Sequence, residues 1–292
     1  MARILIAGCG DVGTTLGLNL TRAGHTVWGL RRRASLIPVP LQAVSADLAD
    51  TESLRIVPSA LDYVVYAAAA DGFSASQYRT AYVEGLRNLL HALREGKQQP
   101  QRILAISSTS VYAQHQGEWV DEMSPAEPES FAGKILREGE DLLWNSGFPA
   151  TVVRFAGIYG PGRTRLLDSL RQGNARCVPG LYTNRVHRED GAAALQFLVT
   201  QRAVEPLYIA VDDSPSLQCE VLNWLAGHLG LPEPRSVSEV GEAEAALRAN
   251  KRCSNARLRA AGFRFRYPSY QEGYGDLLKN YALGAKASDE SS

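Results

Sequence analysis

The sequence predicts an α/β protein built on a doubly wound parallel sheet, with a smaller C-terminal lobe of mixed helices and strands. The chain opens with the apolar run Ala2–Ala7, passes through a glycine-rich turn and continues with apolar residues at helical spacing. Short apolar runs then alternate with helical patterns up to about residue 162, as in successive βαβ units. From residue 163 onward this alternation loosens, which predicts the second lobe.

The glycine turn reads G-x-G-x-x-G and has the strand-to-helix context that a dinucleotide-binding, Rossmann-type loop requires. Gly8 permits the tight turn, Gly10 lets the backbone approach a pyrophosphate, and Gly13 lets the helix pack against the strand. The backbone at Asp11 and Val12 begins the helix, where free N–H groups and the helix dipole favour a phosphate. A turn that merely packs is the alternative.

The second predicted strand, His25–Leu30, ends in three arginines rather than in the carboxylate that usually reads the ribose of NAD. Guanidinium groups at this position can hold a 2′-phosphate through paired, charge-assisted hydrogen bonds. We therefore predict NADP as the cofactor, with NAD as the alternative, and Arg31 and Arg32 as its contacts. A solvated basic turn remains open.

Two further strand ends are candidates for contact with the cofactor. The weak strand Gln42–Ser45 leads to Asp47 and Leu48, where contact with an adenine ring and a helix cap are both consistent with the sequence. The apolar run Leu61–Tyr66 leads to small residues that let a flat ligand lie against the backbone, or that simply pack closely. These small residues are Ala67, Ala68 and Ala69.

The remaining periodic segments complete the predicted order. Predicted helices are Ser74–Arg94, Phe131–Asn145, Arg163–Gln172, Glu189–Thr200, Leu217–Leu229 and Glu242–Ala249, and predicted strands are Ile103–Ile106, Thr151–Phe155 and Leu207–Val211. The acidic, proline-containing segment Glu118–Glu129 is predicted as a loop. The predicted domains are residues 1–162, with some later segments returning to them, residues 163–284, and a disordered polar tail at 285–292.

Composition narrows the partners and the compartment. The 292 residues are 45% apolar with a formal net charge of zero, so no global charge favours nucleic acid or an acidic membrane. No apolar run reaches the roughly 20 residues of a membrane helix, and no signal peptide is recognisable. The four cysteines are widely spaced, which predicts neither a metal site nor a disulfide framework and favours a reducing cytoplasm.

Several motifs in order resemble extended short-chain dehydrogenases/reductases of the nucleoside-diphosphate-sugar epimerase/dehydratase type. They are the Gly8–Gly13 loop, Ser107–Tyr112, Val153–Gly162 and Asn184–Asp190. The resemblance implies a parallel sheet that binds NAD(P), a lobe over the substrate, and a site in the cleft between them. It also implies hydride transfer on a sugar nucleotide or similar phosphorylated compound. Family members often pair through a four-helix interface, for which Ser74–Arg94 and Phe131–Asn145 are the candidate helices, and a monomer is the alternative because Gly133 and Gly139 weaken the second helix.

The family's chemistry uses a Ser or Thr together with a Tyr and a Lys spaced Y-x-x-x-K. Ser108 matches the hydroxyl position. The helix Phe131–Asn145 can be aligned with the Y-x-x-x-K segment in two ways, and neither places a tyrosine at the tyrosine position. Matching Lys134 to the family lysine puts Ser130 at the tyrosine position, whereas matching the flanking Gly and Glu puts Ala132 and Leu136 at the two positions. The chain therefore resembles atypical extended members. The dehydratase Asp-Glu pair is replaced by Thr109 and Ser110, which argues against a 4,6-dehydratase.

Other groups are candidates for the missing roles. Tyr112, Tyr159 and Lys134 are candidate acid or base groups, and each has packing as its alternative. Residues Tyr159, Arg185, His187, Arg188 and Arg252 are candidates to meet a substrate and its phosphate or carboxylate. For Arg185 and Arg188, ion pairs with Glu189 or Asp190 are the alternative.

Two functions from different classes follow. The first is an NADP-dependent epimerase or reductase. The second is a non-catalytic NADP-binding sensor or regulator, which the intact glycine loop beside the altered Y-x-x-x-K helix suggests. A protein that has lost nucleotide binding altogether is a third alternative.

Overall fold

The structure of the protein is a computed structural model that describes residues 1–237 and 250–289, with side chains in the last helix described up to residue 279. The chain forms two compact units. Unit 1 comprises Met1–Ala113, Ser124–Phe155 and Gly191–Ala210, and unit 2 comprises Gln114–Met123, Ala156–Asp190 and Val211–Ser292. The chain leaves unit 1 after Phe155 and returns to it at Gly191, whereas the sequence placed the boundary at residue 162 with some later segments returning.

The strands, in chain order, are β1 (Arg3–Ala7), β2 (Thr26–Arg31), β3 (Gln42–Ser45), β4 (Tyr63–Tyr66), β5 (Arg102–Ser108), β6 (Glu118–Val120), β7 (Ala150–Phe155), β8 (Gly157–Tyr159), β9 (Arg176–Cys177), β10 (Tyr182–Thr183), β11 (Arg185–His187), β12 (Leu207–Ala210), β13 (Ser216–Leu217), β14 (Arg235–Ser236) and β15 (Lys251–Cys253). The helices are α1 (Asp11–Arg22), α2 (Ala75–Arg79), α3 (Gly85–Glu95), α4 (Phe131–Trp144), α5 (Arg165–Arg171), α6 (Arg188–Thr200), α7 (Gln218–Leu229), α8 (Ala256–Ala260) and α9 (Tyr270–Asp289). The predicted helix Glu242–Ala249 lies outside the described residues.

Unit 1 holds a seven-stranded sheet in the order β12-β7-β5-β4-β1-β2-β3. Every neighbouring pair in it is parallel, as βαβ crossovers require. The central strands read as continuous apolar runs because both faces of the sheet are covered, and Ile4, Leu5 and Ile6 are 0% exposed. The predicted doubly wound α/β fold is confirmed.

The predicted helix Ser74–Arg94 is present with one irregular turn. Thr80–Glu84 is a π-helical turn between α2 and α3. The buried hydroxyl of Tyr66 donates a hydrogen bond of 2.5 Å to the carbonyl oxygen of Ala81, which the wider turn leaves available. Gly85 lies against this hydroxyl, and a Cβ there would crowd it.

Unit 2 is built from short strand pairs. Strand β8 pairs in parallel with β11, β6 with β15 and β9 with β14, whereas β10 and β13 are antiparallel. Two predictions are corrected here: Glu118–Val120 is a strand rather than loop, because it pairs with β15, and α9 continues to Asp289, into the segment predicted to be disordered from residue 285. Residues 290–292 lie outside the described range.

A disulfide in unit 2 also differs from the sequence prediction. Cys177 and Cys219 are bonded, although 42 residues separate them in the chain. Cys9 and Cys253 remain thiols, and both are buried. Within the described residues, no helix is long and apolar enough to cross a membrane, and no cluster of three or more His, Cys, Asp or Glu side chains is arranged to hold a metal ion.

Candidate functional site

The glycine loop lies between β1 and α1 in unit 1. Gly8 has a φ of 86°, and a Cβ on it would overlap the backbone of Ala68. A Cβ on Gly13 would come within 3.0 Å of the Cγ2 atom of Ile6, so this glycine brings the helix close to the strand. Around Gly10 the space is open, since the nearest atom to a Cβ there is 3.9 Å away. The glycines thus have the turn, packing and approach roles that a dinucleotide loop needs.

The first turn of α1 presents backbone N–H groups at the carboxyl end of β1. The helix begins after Gly10, which has no side chain to cap this turn. The Gly8 N–H donates to the Leu30 carbonyl at 3.0 Å, which fixes the loop against β2. The N–H groups at Asp11 and Val12 and the positive end of the helix dipole favour an anion here. The loop therefore fits a pyrophosphate.

The arginines predicted to contact the cofactor lie at the end of β2. Arg31 is the last residue of this strand, and Arg32 follows it. The Arg32 Nη2 atom donates a hydrogen bond of 2.6 Å to Asp71 Oδ1, and the two side chains are 60% and 61% exposed. This bond raises the pKa of Arg32 and lowers the pKa of Asp71. An exposed ion pair contributes only about 0–1 kcal/mol, so a phosphate can replace Asp71 as the partner of Arg32.

The other predicted cofactor contacts are also in unit 1. The Asp47 Oδ1 atom accepts the Ala49 N–H at 3.0 Å, so this carboxylate caps a local turn after β3. The Leu48 carbonyl accepts a hydrogen bond of 2.9 Å from Asn88 Nδ2. Contact of either residue with adenine stays a prediction. Among the small residues after β4, Ala68 packs against Gly8, while Ala67 and Ala69 keep partial or full exposure.

The end of β5 is tied to α4 by a buried ionic network. The Ser107 hydroxyl donates to Glu140 Oε1 at 2.6 Å. Arg154 donates to both oxygens of the same carboxylate, from Nε at 2.9 Å and from Nη2 at 2.6 Å. Glu140 and Arg154 are 3% and 2% exposed. The network fixes the backbone next to Ser108, whose half-buried hydroxyl accepts the Ser110 N–H at 3.2 Å.

Glu140 also defines which face of α4 points inward. Ala132 and Leu136 precede it on the same face and are buried, whereas Lys134 is exposed. Ala132 and Leu136 thus belong to the inward face of α4, and their match to the family's tyrosine and lysine positions stays a prediction. Tyr112 is 0% exposed, so its ring packs inside unit 1. The catalytic roles of Ser108, Tyr112 and Lys134 stay predictions.

In unit 2, the predicted substrate residues Tyr159 and His187 lie opposite each other on β8 and β11. The ring of Tyr159 stacks on Tyr274 with centroids 4.5 Å apart and meets His187 edge-on at 5.2 Å. Burial lowers the pKa of His187 to about 4, so the ring is neutral at pH 7. A neutral, buried histidine has no charge with which to bind a phosphate.

Arg185 is also buried, with 8% of its surface exposed. Its Nη2 atom donates to the Thr183 hydroxyl at 2.7 Å. Nearby, Asp212 accepts the Ser214 N–H at 3.1 Å through Oδ1, while its Oδ2 atom has no hydrogen-bond partner in the described part of the chain. Burial raises the pKa of Asp212 to about 7, although the charge of Arg185 opposes this shift. Arg185 therefore contributes to the interior of unit 2.

The last two candidates have different surroundings. Arg188 donates to the Pro161 carbonyl at 3.0 Å and forms an ion pair with Glu189 at 2.8 Å. The ion pair with Glu189 was the predicted alternative to a substrate contact. Arg252 donates from Nε to the Gly117 carbonyl at 2.7 Å.

The guanidinium of Arg252 lies over two aromatic rings, 5.2 Å from the centroid of Trp119 and 4.9 Å from that of Tyr182. This stacking holds the planar group in one orientation, as recognition of a carboxylate or phosphate requires. Of the five predicted substrate residues, Arg252 has the environment best suited to an anion.

Two parts of these sites were missed by sequence reasoning. The first is Asp71, which follows the small residues after β4. Its only signal in the sequence was that a carboxylate stands near the end of a strand, and this does not indicate a contact with Arg32. Trp119 and Tyr182 are far from Arg252 in the chain, and no local pattern links the three.

The chain belongs to the NAD-dependent epimerase/dehydratase family, whose model matches residues 4–201. The glycine loop, six of the seven sheet strands and the Ser107–Ser108 strand end lie within the matched region, whereas β12 follows it.

Three similar proteins cover nearly the whole chain. A solved protein of Methylobacillus flagellatus, described as an NAD-dependent epimerase/dehydratase, is 39% identical over 96% of this chain and 99% of its own, with a TM-score of 0.79. A conserved protein of unknown function from Silicibacter pomeroyi is 25% identical over 96% and 99%, with a TM-score of 0.76. The 3-diazoavenalumate denitrifying reductase of a Streptomyces species is 27% identical over 94% of this chain and 99% of its length.

Proposed function

We propose that the protein binds NADP(H) through unit 1 and catalyses hydride transfer to or from a small substrate. The observation that carries this proposal is the intact glycine loop beside Arg31 and Arg32, with no carboxylate at the end of β2. Proteins of similar fold at 19% identity have been solved with NADPH, as the human epimerase family protein SDR39U1, and with NAD, as WbmG of Bordetella bronchiseptica. Because the fold accommodates both cofactors, the preference rests on these arginines.

Different residues of unit 1 bind different parts of such a cofactor. The N–H groups of the first turn of α1 bind the pyrophosphate, and Arg32 exchanges Asp71 for the 2′-phosphate, with Arg31 beside it. When bound, the nicotinamide supplies or accepts the hydride. Ser108, at the end of β5, donates a hydrogen bond to the substrate oxygen whose carbon changes oxidation state.

The proposed substrate is a sugar nucleotide or a similarly phosphorylated compound. MoeE5, at 21% and 20% identity, has been solved with UDP-glucose and with UDP-glucuronic acid, and the Streptomyces relative is a reductase. Within unit 2, Arg252 is the residue best suited to bind an anion, because its guanidinium contacts two aromatic rings and its terminal nitrogens have no hydrogen-bond partner among the described residues.

The first experiment is a fluorescence titration with NADPH and NADH of the wild type and of the double variant Arg31→Ala/Arg32→Ala. We expect NADPH to bind more tightly than NADH, and the double variant to lose that preference. Equal binding of both cofactors by the wild type would contradict the arginine argument. Turnover is then followed by nicotinamide absorbance with UDP-glucose and UDP-glucuronic acid, comparing Ser108→Ala with the exposed neighbour Ser110→Ala as control.

A second candidate function is a non-catalytic NADP-binding protein. The buried positions of Ala132 and Leu136 favour it, because neither side chain can donate or accept a proton. This candidate expects tight NADPH binding with no turnover of either sugar nucleotide and no effect of Ser108→Ala on binding.

The predicted homodimer is also proposed here, with exposed aromatic side chains of unit 1 as its support. Phe73 is 75% and Phe131 37% exposed, and their ring centroids are 5.1 Å apart at the start of the helices predicted to pair. Sedimentation velocity on the wild type and on Phe73→Ser/Phe131→Ser tests it. We expect a dimer that the double variant weakens, and a wild-type monomer at all concentrations would refute the proposal.

A further inference from the structure

The disulfide in unit 2 joins a short strand to the start of a helix. Cys177 is the last residue of β9 and is 4% exposed, whereas Cys219 is the second residue of α7 and is partly exposed. The segment after Cys177 also contacts the start of α7, since the Val178 N–H donates to Gln218 Oε1 at 2.9 Å and the Gln218 N–H donates to the Leu181 carbonyl at 2.8 Å. The covalent bond therefore reinforces an existing contact between two elements.

The strand β9 follows directly from the wall of an open cavity of about 620 Å³ in unit 2. Most of this wall comes from residues 162–174, which include α5, and Ile158, Tyr159 and Tyr274 complete it. Leu167 and Leu170 of α5 and Val221 and Leu222 of α7 belong to the same apolar cluster as Cys177. The disulfide thus ties the C-terminal end of the cavity wall to α7.

The two sulfur atoms differ in how a thiol reagent can reach them. Cys177 is enclosed, so exchange proceeds by attack on the partly exposed sulfur of Cys219. Reduction then leaves one thiol on the first turn of α7, where no side chain of the described residues caps the helix and its N–H groups favour a thiolate. A low-molecular-weight thiol can therefore open the bond, and the resulting thiolate can attack a low-molecular-weight disulfide to close it again.

We propose that Cys177 and Cys219 form a reversible redox site that holds the α5–β9 wall of the unit 2 cavity in place when oxidised and releases it when reduced. In the closing reaction, the two cysteine thiols and one glutathione disulfide yield the protein disulfide and two molecules of glutathione. Two electrons and two protons pass from the cysteines to glutathione, so the reaction balances. In the reducing compartment that the sequence predicts, such a site responds to the ratio of glutathione to its disulfide.

The first test counts thiols in the wild type under denaturing conditions with Ellman's reagent. Protein equilibrated with excess glutathione disulfide is expected to show the thiols of Cys9 and Cys253 alone, and all four cysteines are expected to react after full reduction. In the oxidised sample, after alkylation and trypsin digestion without reductant, mass spectrometry is expected to find peptide 177–185 linked to peptide 203–235. Four reactive thiols in the oxidised sample would overturn the proposal, as would a bond that excess glutathione cannot reduce.

The second test measures the release of the wall by limited tryptic cleavage at the exposed residues Arg171 and Arg176. We expect the reduced wild type to be cut there about tenfold faster than the oxidised wild type, since loss of the cross-link lowers the free energy of local opening. Cys219→Ser is expected to be cut at the fast rate under both conditions, and Cys9→Ser, altered in unit 1, to respond like the wild type. Equal rates for the oxidised and reduced wild type would show that the bond does not control the wall.

Discussion

Two arginine–carboxylate pairs in unit 1 have the same shortest contact and opposite surroundings. Arg154–Glu140 and Arg32–Asp71 each join nitrogen and oxygen at 2.6 Å, but the side chains are 3% and 2% exposed in the first pair and 60% and 61% exposed in the second. In the buried pair, removing Glu140 leaves the charge of Arg154 away from solvent, whereas Glu140 also has Arg137 within 3.6 Å. In the exposed pair, water replaces either partner. The buried pair therefore maintains the fold, and the exposed pair is available to a ligand.

The largest expected effect comes from breaking the buried pair. Glu140→Ala leaves the Arg154 guanidinium uncompensated and removes the acceptor of the Ser107 hydroxyl, so we expect the free energy of unfolding to fall by about 3–5 kcal/mol. Urea unfolding followed by circular dichroism measures it. Glu138→Ala is the matched control, because Glu138 also lies on α4 but forms an exposed ion pair with Arg79 of α2. This variant should leave the free energy of unfolding unchanged. Equal effects of the two variants would contradict the comparison.

Asp212 extends the comparison to a buried carboxylate, one oxygen of which has no hydrogen-bond partner among the residues that the structure describes. Its pKa is about 7 in the folded protein against an ordinary value near 3.8, so the folded state binds more protons than the unfolded state between these pH values. Stability contributed by this group therefore falls as the pH rises from 4 to 7, by about 3–4 kcal/mol at most.

Asp212→Asn is expected to remove that dependence, so that its unfolding free energy changes less between pH 4 and pH 8 than that of the wild type. Urea midpoints at several pH values measure this. The same slope in both proteins would show that Asp212 titrates normally.

A smaller effect, on cofactor affinity, is expected from replacing Arg32 of the exposed pair. If Arg32 binds the 2′-phosphate as proposed, Arg32→Ala removes a charge-assisted contact, and NADPH affinity should fall by about tenfold to a hundredfold. NADH affinity should not change. Isothermal titration calorimetry measures both, and an equal loss for the two cofactors would mean that Arg32 supports the loop instead of reading the phosphate.

The smallest effect is expected from the other partner of that pair. Asp71→Asn frees Arg32 from a contact that the 2′-phosphate must displace, so NADPH should bind roughly two- to fivefold more tightly. The same titration tests this, with NADH as the control ligand. Weaker NADPH binding by the variant would indicate that Asp71 positions Arg32 for the phosphate.

The sequence was most informative where the determinants are local. The Gly8–Gly13 loop, the strand that precedes it and the arginines that end β2 are each contiguous, and the structure has them as predicted in type and order. It was least informative about pairings between distant residues. Three features depend on how unit 2 folds, and no local sequence pattern predicts them. They are the disulfide partner of Cys177, the pairing of Glu118–Val120 with β15, and the aromatic rings around Arg252.

The order of the sheet has a consequence for how the protein is made. The edge strand β12 pairs with β7 and arrives only at residues 207–210, after the chain has passed through a long stretch of unit 2. A ribosome therefore has to synthesise more than two thirds of the chain before the cofactor-binding sheet can be completed. A polypeptide ending at residue 162 would leave β7 as an unprotected edge, and such edges promote aggregation.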